Sequence, residues 1–184
     1  VWIAIALIAL VVFIGLFFVS QYNRLVRLRN MVEEAWAQID VMLTRRHDLI
    51  PNLVETVKGY ASHEKETLER VIQARNTAVS ASGPAEQAQA ENFLTGALRQ
   101  LFALSEAYPD LKADANFREL QAELTNTEGV IAQARGSYNA AVRAYDTARE
   151  VFPTNIVAGM FNFEEREYYE VDDPEARGPV KVEF

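Results

Sequence analysis

The chain contains no cysteine. That excludes disulfides, thiol nucleophiles, thiolate metal sites and a lipid anchor attached through cysteine, and it leaves the redox compartment open. Histidine is almost as scarce, with His47 and His63 as the two copies. A zinc protease needs two histidines one helical turn apart around a glutamate, and no such pair exists. A carboxylate-bridged metal bundle needs Glu three residues before each His; Thr44 and Tyr60 stand there. There is no phosphate-binding glycine loop and no nucleophile motif, so neither a catalytic residue nor a metal or other cofactor is expected. Basic charge is also in deficit: the net charge of −8 argues against nucleic acid, whose binding requires a basic surface that releases counterions.

What is present begins at the N-terminus. Residues 1 to 19, VWIAIALIALVVFIGLFFV, carry no charge. As a helix this run spans about 29 Å, close to the hydrocarbon thickness of a bilayer. A cleaved secretory signal would have a shorter core and small residues at its exit, whereas the exit here is Phe17, Phe18 and Val19. The run reads as an uncleaved transmembrane helix over residues 1–21. The charges that follow at once, Arg24, Arg27 and Arg29, lie in the window where basic residues hold a segment in the cytoplasm. A single-pass protein of a bacterial cytoplasmic membrane, its soluble part cytoplasmic, is the expectation.

From residue 22 to Pro153 glycine and proline are sparse, and apolar residues recur at helical spacing. Tyr22, Leu25, Leu28, Val32, Ala35, Ile39 and Met42, widened by Trp36 and Leu43, form one face. A second segment carries Leu53, Val57, Tyr60, Ala61, Leu68, Val71 and Ile72; a third, from Pro84, carries Phe93, Leu94, Ala97, Leu98, Leu101, Leu104 and Tyr108. A fourth runs Phe117, Leu120, Leu124, Thr127, Ile131, Ala134, Tyr138, Ala141, Tyr145, Ala148 and Phe152, a three-four alternation without a slip. Its phenolic hydroxyls should reach polar partners at the rim. The expected fold is all-α: the membrane helix, then an antiparallel up-down four-helix bundle over 22–153, then an apolar segment and an extended acidic tail over 154–184.

Two places invite a functional reading. Asn52 and Glu55 have capping-box spacing after Pro51, so a break is expected there, as a hairpin or as a kink in one long helix. Arg45, Arg46, Asp48, Asn52 and Glu55 around it are candidates for a docking site, or for satisfying the helix ends of a turn. Both histidines read as surface or structural residues, whose replacement by Ala should leave folding nearly unchanged. At the other end, parity returns the fourth helix to the membrane. That places Ile156, Met160, Phe161 and Phe163 of VFPTNIVAGMFNF beside Arg24, Arg27 and Arg29, as membrane-proximal or oligomer contacts. The segment is too short to span. It lies at the interface, packs on a neighbour, or caps the bundle. The acids Glu164, Glu165, Glu167, Glu170, Asp172, Asp173, Glu175 and Glu183 follow or lie near it.

The stretch Arg45-Arg46-His47-Asp48-Leu49-Ile50-Pro51-Asn52-Leu53-Val54-Glu55-Thr56-Val57-Lys58-Gly59-Tyr60-Ala61, with His63-Glu64, resembles the LemA family of bacterial membrane proteins. So do Ala35 to Val41, Tyr108 to Lys112, Asn116-Phe117, Tyr138-Asn139, Phe152 to Asn155 and the ending Pro179 to Phe184. The likeness covers nearly the whole chain. Asp146 departs where a second Tyr-Asn pair is expected, and Asn162-Phe163 replaces a common Gly-Phe. The resemblance implies an N-terminal anchor, an extended helical soluble domain and no established catalysis, with a membrane metalloprotease or another envelope protein as a candidate partner. Two functions are then open. One is a scaffold or assembly protein of the envelope that sits in membrane lipid and forms a homo-oligomer; the other is an adaptor or regulator of a membrane protease or stress pathway.

Overall fold

The computed structural model describes residues 1–170. Its six helices are α1 (Trp2–Tyr60), α2 (Lys65–Ser80), α3 (Pro84–Ser105), α4 (Pro109–Ala113), α5 (Ala115–Glu150) and α6 (Thr154–Met160). Among the described residues there is no strand. The acids beyond Glu170 and the ending Pro179 to Phe184 lie outside the described residues.

Of the two outcomes open at Pro51, a hairpin or one long helix, the chain takes the long helix: α1 joins the apolar run to Tyr60, and the chain turns at Ala61 to Glu64 instead. A proline inside a helix removes the N–H that would bond the carbonyl four residues back, here that of His47. The orphaned carbonyl is supplied from elsewhere in the fold: Arg75 of α2 donates its Nε–H to His47 O at 2.9 Å. The expected break is thus overridden by a side chain far along the sequence.

Contacts divide the chain into two compact units. The first combines Val1–Asp40 with Gln133–Glu167. In it the start of α1 runs antiparallel to the end of α5 and its continuation, since Trp36 meets Tyr138 while Tyr22 meets Phe161 and Phe163. Leu25, Val32 and Ile39, one per heptad of α1, are buried, as are Tyr138, Val142, Tyr145 and Ala148 of α5. Residues 1–17 are exposed throughout, and this part of α1 is long and apolar enough to cross a membrane. Asn162 adopts a left-handed φ of 54°, and Phe163 N–H reaches back to Ala158 O at 3.0 Å. This is a helix stop that calls for Gly or Asn, which accounts for Asn162.

The second unit takes Val41–Ala132, with Tyr168 to Glu170 of the described residues. A single apolar cluster draws Ile50, Leu53 and Val57 from α1, Leu68 and Val71 from α2, Leu94, Leu98 and Leu101 from α3, Leu111 from α4, and Phe117 and Leu124 from α5. The stripe is narrower than the spacing suggested, because Tyr60, Ile72 and Phe93 are exposed. Asp114 starts α5 by accepting the N–H of Phe117 at 2.8 Å, an N-cap bond.

Candidate functional site

In the second unit α1 sends two consecutive residues, Arg46 and His47, to one carboxylate of α3 and the preceding Arg45 to α5. Arg46 falls seven residues after Ile39 and seven before Leu53, so a long helix that keeps its register carries it into the core. There it is 3% exposed, facing Glu91 of α3, also 3% exposed. Arg46 Nη1 donates to Glu91 Oε2 at 3.1 Å and Nη2 to Thr95 Oγ1 at 2.8 Å. His47 Nε2 lies 2.5 Å from Glu91 Oε1. Gln87 closes the cluster by donating to the same oxygen at 3.2 Å and to Ala78 O at 3.0 Å. His47 is therefore a buried residue, contrary to a surface reading, while His63 is exposed in the turn after α1.

With one carboxylate held by a guanidinium, an imidazole and an amide, Glu91 is buried and partnered on both oxygens. The cluster is suited to locking α1 against α3, because removing one member strands a buried charge. Glu91 and Gln87 were missed from the sequence, yet a signal existed. Gln87, Glu91, Leu94, Leu98 and Leu101 continue one three-four alternation, so a carboxylate in that row demands a buried cation.

Arg45 points elsewhere and pairs with Glu123 of α5. A groove of about 600 Å³ is lined by Arg45, Leu49, Asn52, Glu55 and Thr56 of α1 and by Asn116, Glu119, Leu120 and Glu123 of α5. Three of the five candidate docking residues, Arg45, Asn52 and Glu55, thus share this groove. Arg46 leaves it for the core, and Asp48 is exposed and does not line it. None of the five sits in a turn, because the helix is continuous there.

One end of this unit is tied by two phenols. Tyr60 donates to Asp114 Oδ2 at 2.9 Å and Tyr108 to Glu64 Oε1 at 2.8 Å. Each carboxylate raises the pKa of its tyrosine, chiefly through that hydrogen bond. Asp114 itself is held below the usual carboxylate value, first by the Phe117 N–H and then by Tyr60.

The first unit gathers the other candidates. Thr154 Oγ1 donates to Gln21 Oε1 at 2.9 Å. The Tyr22 ring lies 4.8 Å from that of Phe161 and 5.6 Å from that of Phe163, centroid to centroid. The Arg29 guanidinium stands 5.6 Å over the Phe163 ring. Phe163 is 8% exposed and so serves as a packing residue, whereas Ile156, Met160 and Phe161 are open, as are Arg24 and Arg27. Further along, Tyr145 and Tyr138 donate to the carbonyls of Glu164 and Glu167, each at 2.8 Å. Burial pushes the Tyr138 hydroxyl up to about 12. Asp146 accepts the Arg166 N–H at 3.4 Å and lies 3.6 Å from Arg149; desolvation raises its carboxyl.

A family model, that of the LemA family, matches residues 35–184. Protein LemA of Metamycoplasma hominis is 29% identical over 179 residues, spanning 89% of this chain and 80% of its own length. Magnetosome protein MamQ 2 of Paramagnetospirillum magneticum is 24% identical over 202 residues, with 96% of this chain and 74% of its own covered. Magnetosome protein MamQ of Magnetospirillum gryphiswaldense is 24% identical over 192 residues, with 90% and 70% covered.

Proposed function

The chain belongs to the LemA family, and from that premise we propose that it is a non-enzymatic, membrane-anchored scaffold of the bacterial envelope that self-associates and gathers membrane partners. Its helical body is read as an antiparallel up-down bundle on the cytoplasmic side of the inner membrane. The observation that carries this reading is the single helix Trp2–Tyr60, which joins an exposed apolar run to the core without a flexible linker. The body is thereby tied to its anchor through continuous helix, a property a scaffold uses and a diffusing enzyme does not require. The bond from Arg75 to His47 O, beside Pro51, supports that continuity. Three acids, Glu55, Glu119 and Glu123, against Arg45 in the open groove make it a candidate partner surface. The relatives named magnetosome protein carry a name that refers to a cellular body, not to a reaction.

The test is cross-linking of the full chain in native membranes, followed by gentle detergent extraction and mass measurement. A ladder above the monomer, with envelope proteins in the extracted particle, is the expected result. A monomer extracted alone overturns the scaffold, and a monomer bound to a single protease replaces it with the adaptor. Protease accessibility in sealed spheroplasts tests the orientation; digestion of the helical body from outside refutes a cytoplasmic location.

A further inference from the structure

Helix α6 has two unlike faces. Thr154, Val157 and Ala158 point inward and are buried. On the other side, and on the residues leading in and out, Val151, Phe152, Ile156, Met160 and Phe161 are open, with Phe152 78%, Met160 67% and Phe161 56% exposed. An uncovered face this rich in large apolar side chains is uncommon on a monomeric surface in water.

Its position is set by two contacts within the first unit, the bond from Thr154 to Gln21 and the edge-to-face packing of Tyr22 on Phe161. Gln21 and Tyr22 follow the apolar run 1–19 after Ser20. Two or three residues of helix rise by about 3 to 5 Å, which is headgroup depth for a span that ends there. The charges sort in the same sense. Arg24 and Arg27 are exposed next to this level. The acids are matched to cations or carried inland: Glu150 lies 3.9 Å from Arg149, Glu165 3.4 Å from Arg149, and Glu33 3.1 Å from Arg166. From Phe163 onward the chain climbs α5 from Tyr145 to Tyr138, away from Gln21, taking Glu164 to Glu167 with it.

The geometry points to a second, interfacial membrane contact: the face formed by Val151, Phe152, Ile156, Met160 and Phe161 lies in the headgroup layer of the bilayer that α1 crosses, with Arg24 and Arg27 against anionic lipid phosphates. This rests on the reading of the N-terminal run as a membrane span. Apolar side chains on one face, flanked by basic residues, are the composition of a segment that lies in the interface without crossing it. A lone span leaves the body free to rotate about its axis; a second contact at α6 fixes which side faces the lipid.

The absence of cysteine makes the test direct. Single variants Met160→Cys, Leu10→Cys and Gln133→Cys of the full chain carry a nitroxide label in nanodiscs of phosphatidylcholine with or without phosphatidylglycerol. Gln133 is an exposed α5 position about 26 Å along that helix from Glu150. Accessibility to oxygen and to a water-soluble nickel chelate is then compared. The Leu10 label should be reached by oxygen alone and the Gln133 label by nickel freely. The Met160 label should show interfacial protection that deepens with phosphatidylglycerol, and Arg24→Gln with Arg27→Gln should abolish that dependence. A Met160 label as nickel-accessible as that at Gln133, with Leu10 protected, overturns this inference and leaves the span intact. Nickel access at Leu10 overturns the span itself. Spin–spin broadening at Met160 without oxygen access means that a second copy covers the face, and it overturns the lipid contact too.

Discussion

The two units of this chain bury polar groups by different means. The Val41–Ala132 unit has a mostly aliphatic core and places ions in it, Arg46 and Glu91, with His47 and Gln87 on the same carboxylate. The unit built from residues 1–40 and 133–167 has a tyrosine-rich core whose hydroxyls hold backbone carbonyls at Glu164 and Glu167. The reason lies in what each must secure. Helices satisfy their own backbone, so helix against helix leaves only side-chain charges to be matched. Among the described residues the stretch after α6, 161–170, has no helix or strand, and its carbonyls need donors from outside. Phenols suit that role because they bring a large apolar ring and one donor together.

The largest expected effect tests the ionic side. Glu91→Ala strands Arg46 and should cost about 3 to 5 kcal/mol, read as a drop in the thermal midpoint of the full chain in detergent. His47→Ala should destabilise as well, by about 1 to 3 kcal/mol, whereas His63→Ala should be nearly silent. Equal, small effects from Glu91→Ala and His63→Ala would show that the cluster does not hold α1 to α3.

On the phenolic side, Tyr138→Ala should cost about 3 kcal/mol through lost burial and a cavity; in the other unit, Leu124→Ala should cost about 2 to 4 kcal/mol for the same reason. Tyr138→Phe separates ring from hydroxyl and should cost about 1 kcal/mol. Hydrogen exchange should then rise in residues 164–167 before the helices are affected; uniform exchange would dissolve the distinction between the units.

A double-mutant cycle sharpens the account of α1. Arg75→Met should cost about 1 to 2 kcal/mol while Pro51 leaves His47 O without its helical donor. In a Pro51→Ala background, where the N–H returns, the same change should cost less than half as much. Additive effects would sever the link between Pro51 and Arg75.

The smallest effects are those of pH. The carboxyl of Asp114 is depressed in the fold, chiefly by the Phe117 N–H. Its contribution is therefore present above the ordinary value of 3.8 and lost as pH falls through the lower folded value. Asp146 has the opposite sign, since desolvation raises it: stability is greatest below the ordinary value and declines as pH rises through the folded one. In denaturant titrations between pH 2 and about 6, Asp114→Asn should flatten the acid limb and Asp146→Asn should raise stability toward neutrality.

Much of this was legible in the residues themselves. The apolar run, the alternation from Phe117 to Phe152, of which the last member is exposed, the rim role of Tyr138 and Tyr145, and the likeness to a family follow from period, length and motif, which depend on neighbours a few positions apart. The course of the chain at Pro51 did not follow, although the local chemistry was read correctly. Proline and a capping pattern favour a break, and the donor that overrides them comes from Arg75, on another helix. The same holds for Arg46 and His47, whose roles depend on Glu91 across the core, and for Phe163, which Tyr22 and Arg29 cover. Periodicity determines which residues share a face, because that is a property of one helix. Which face meets which, and so whether a charge is a partner or a surface group, is decided by contacts between helices, and the sequence carries those only as a demand for some partner of opposite character.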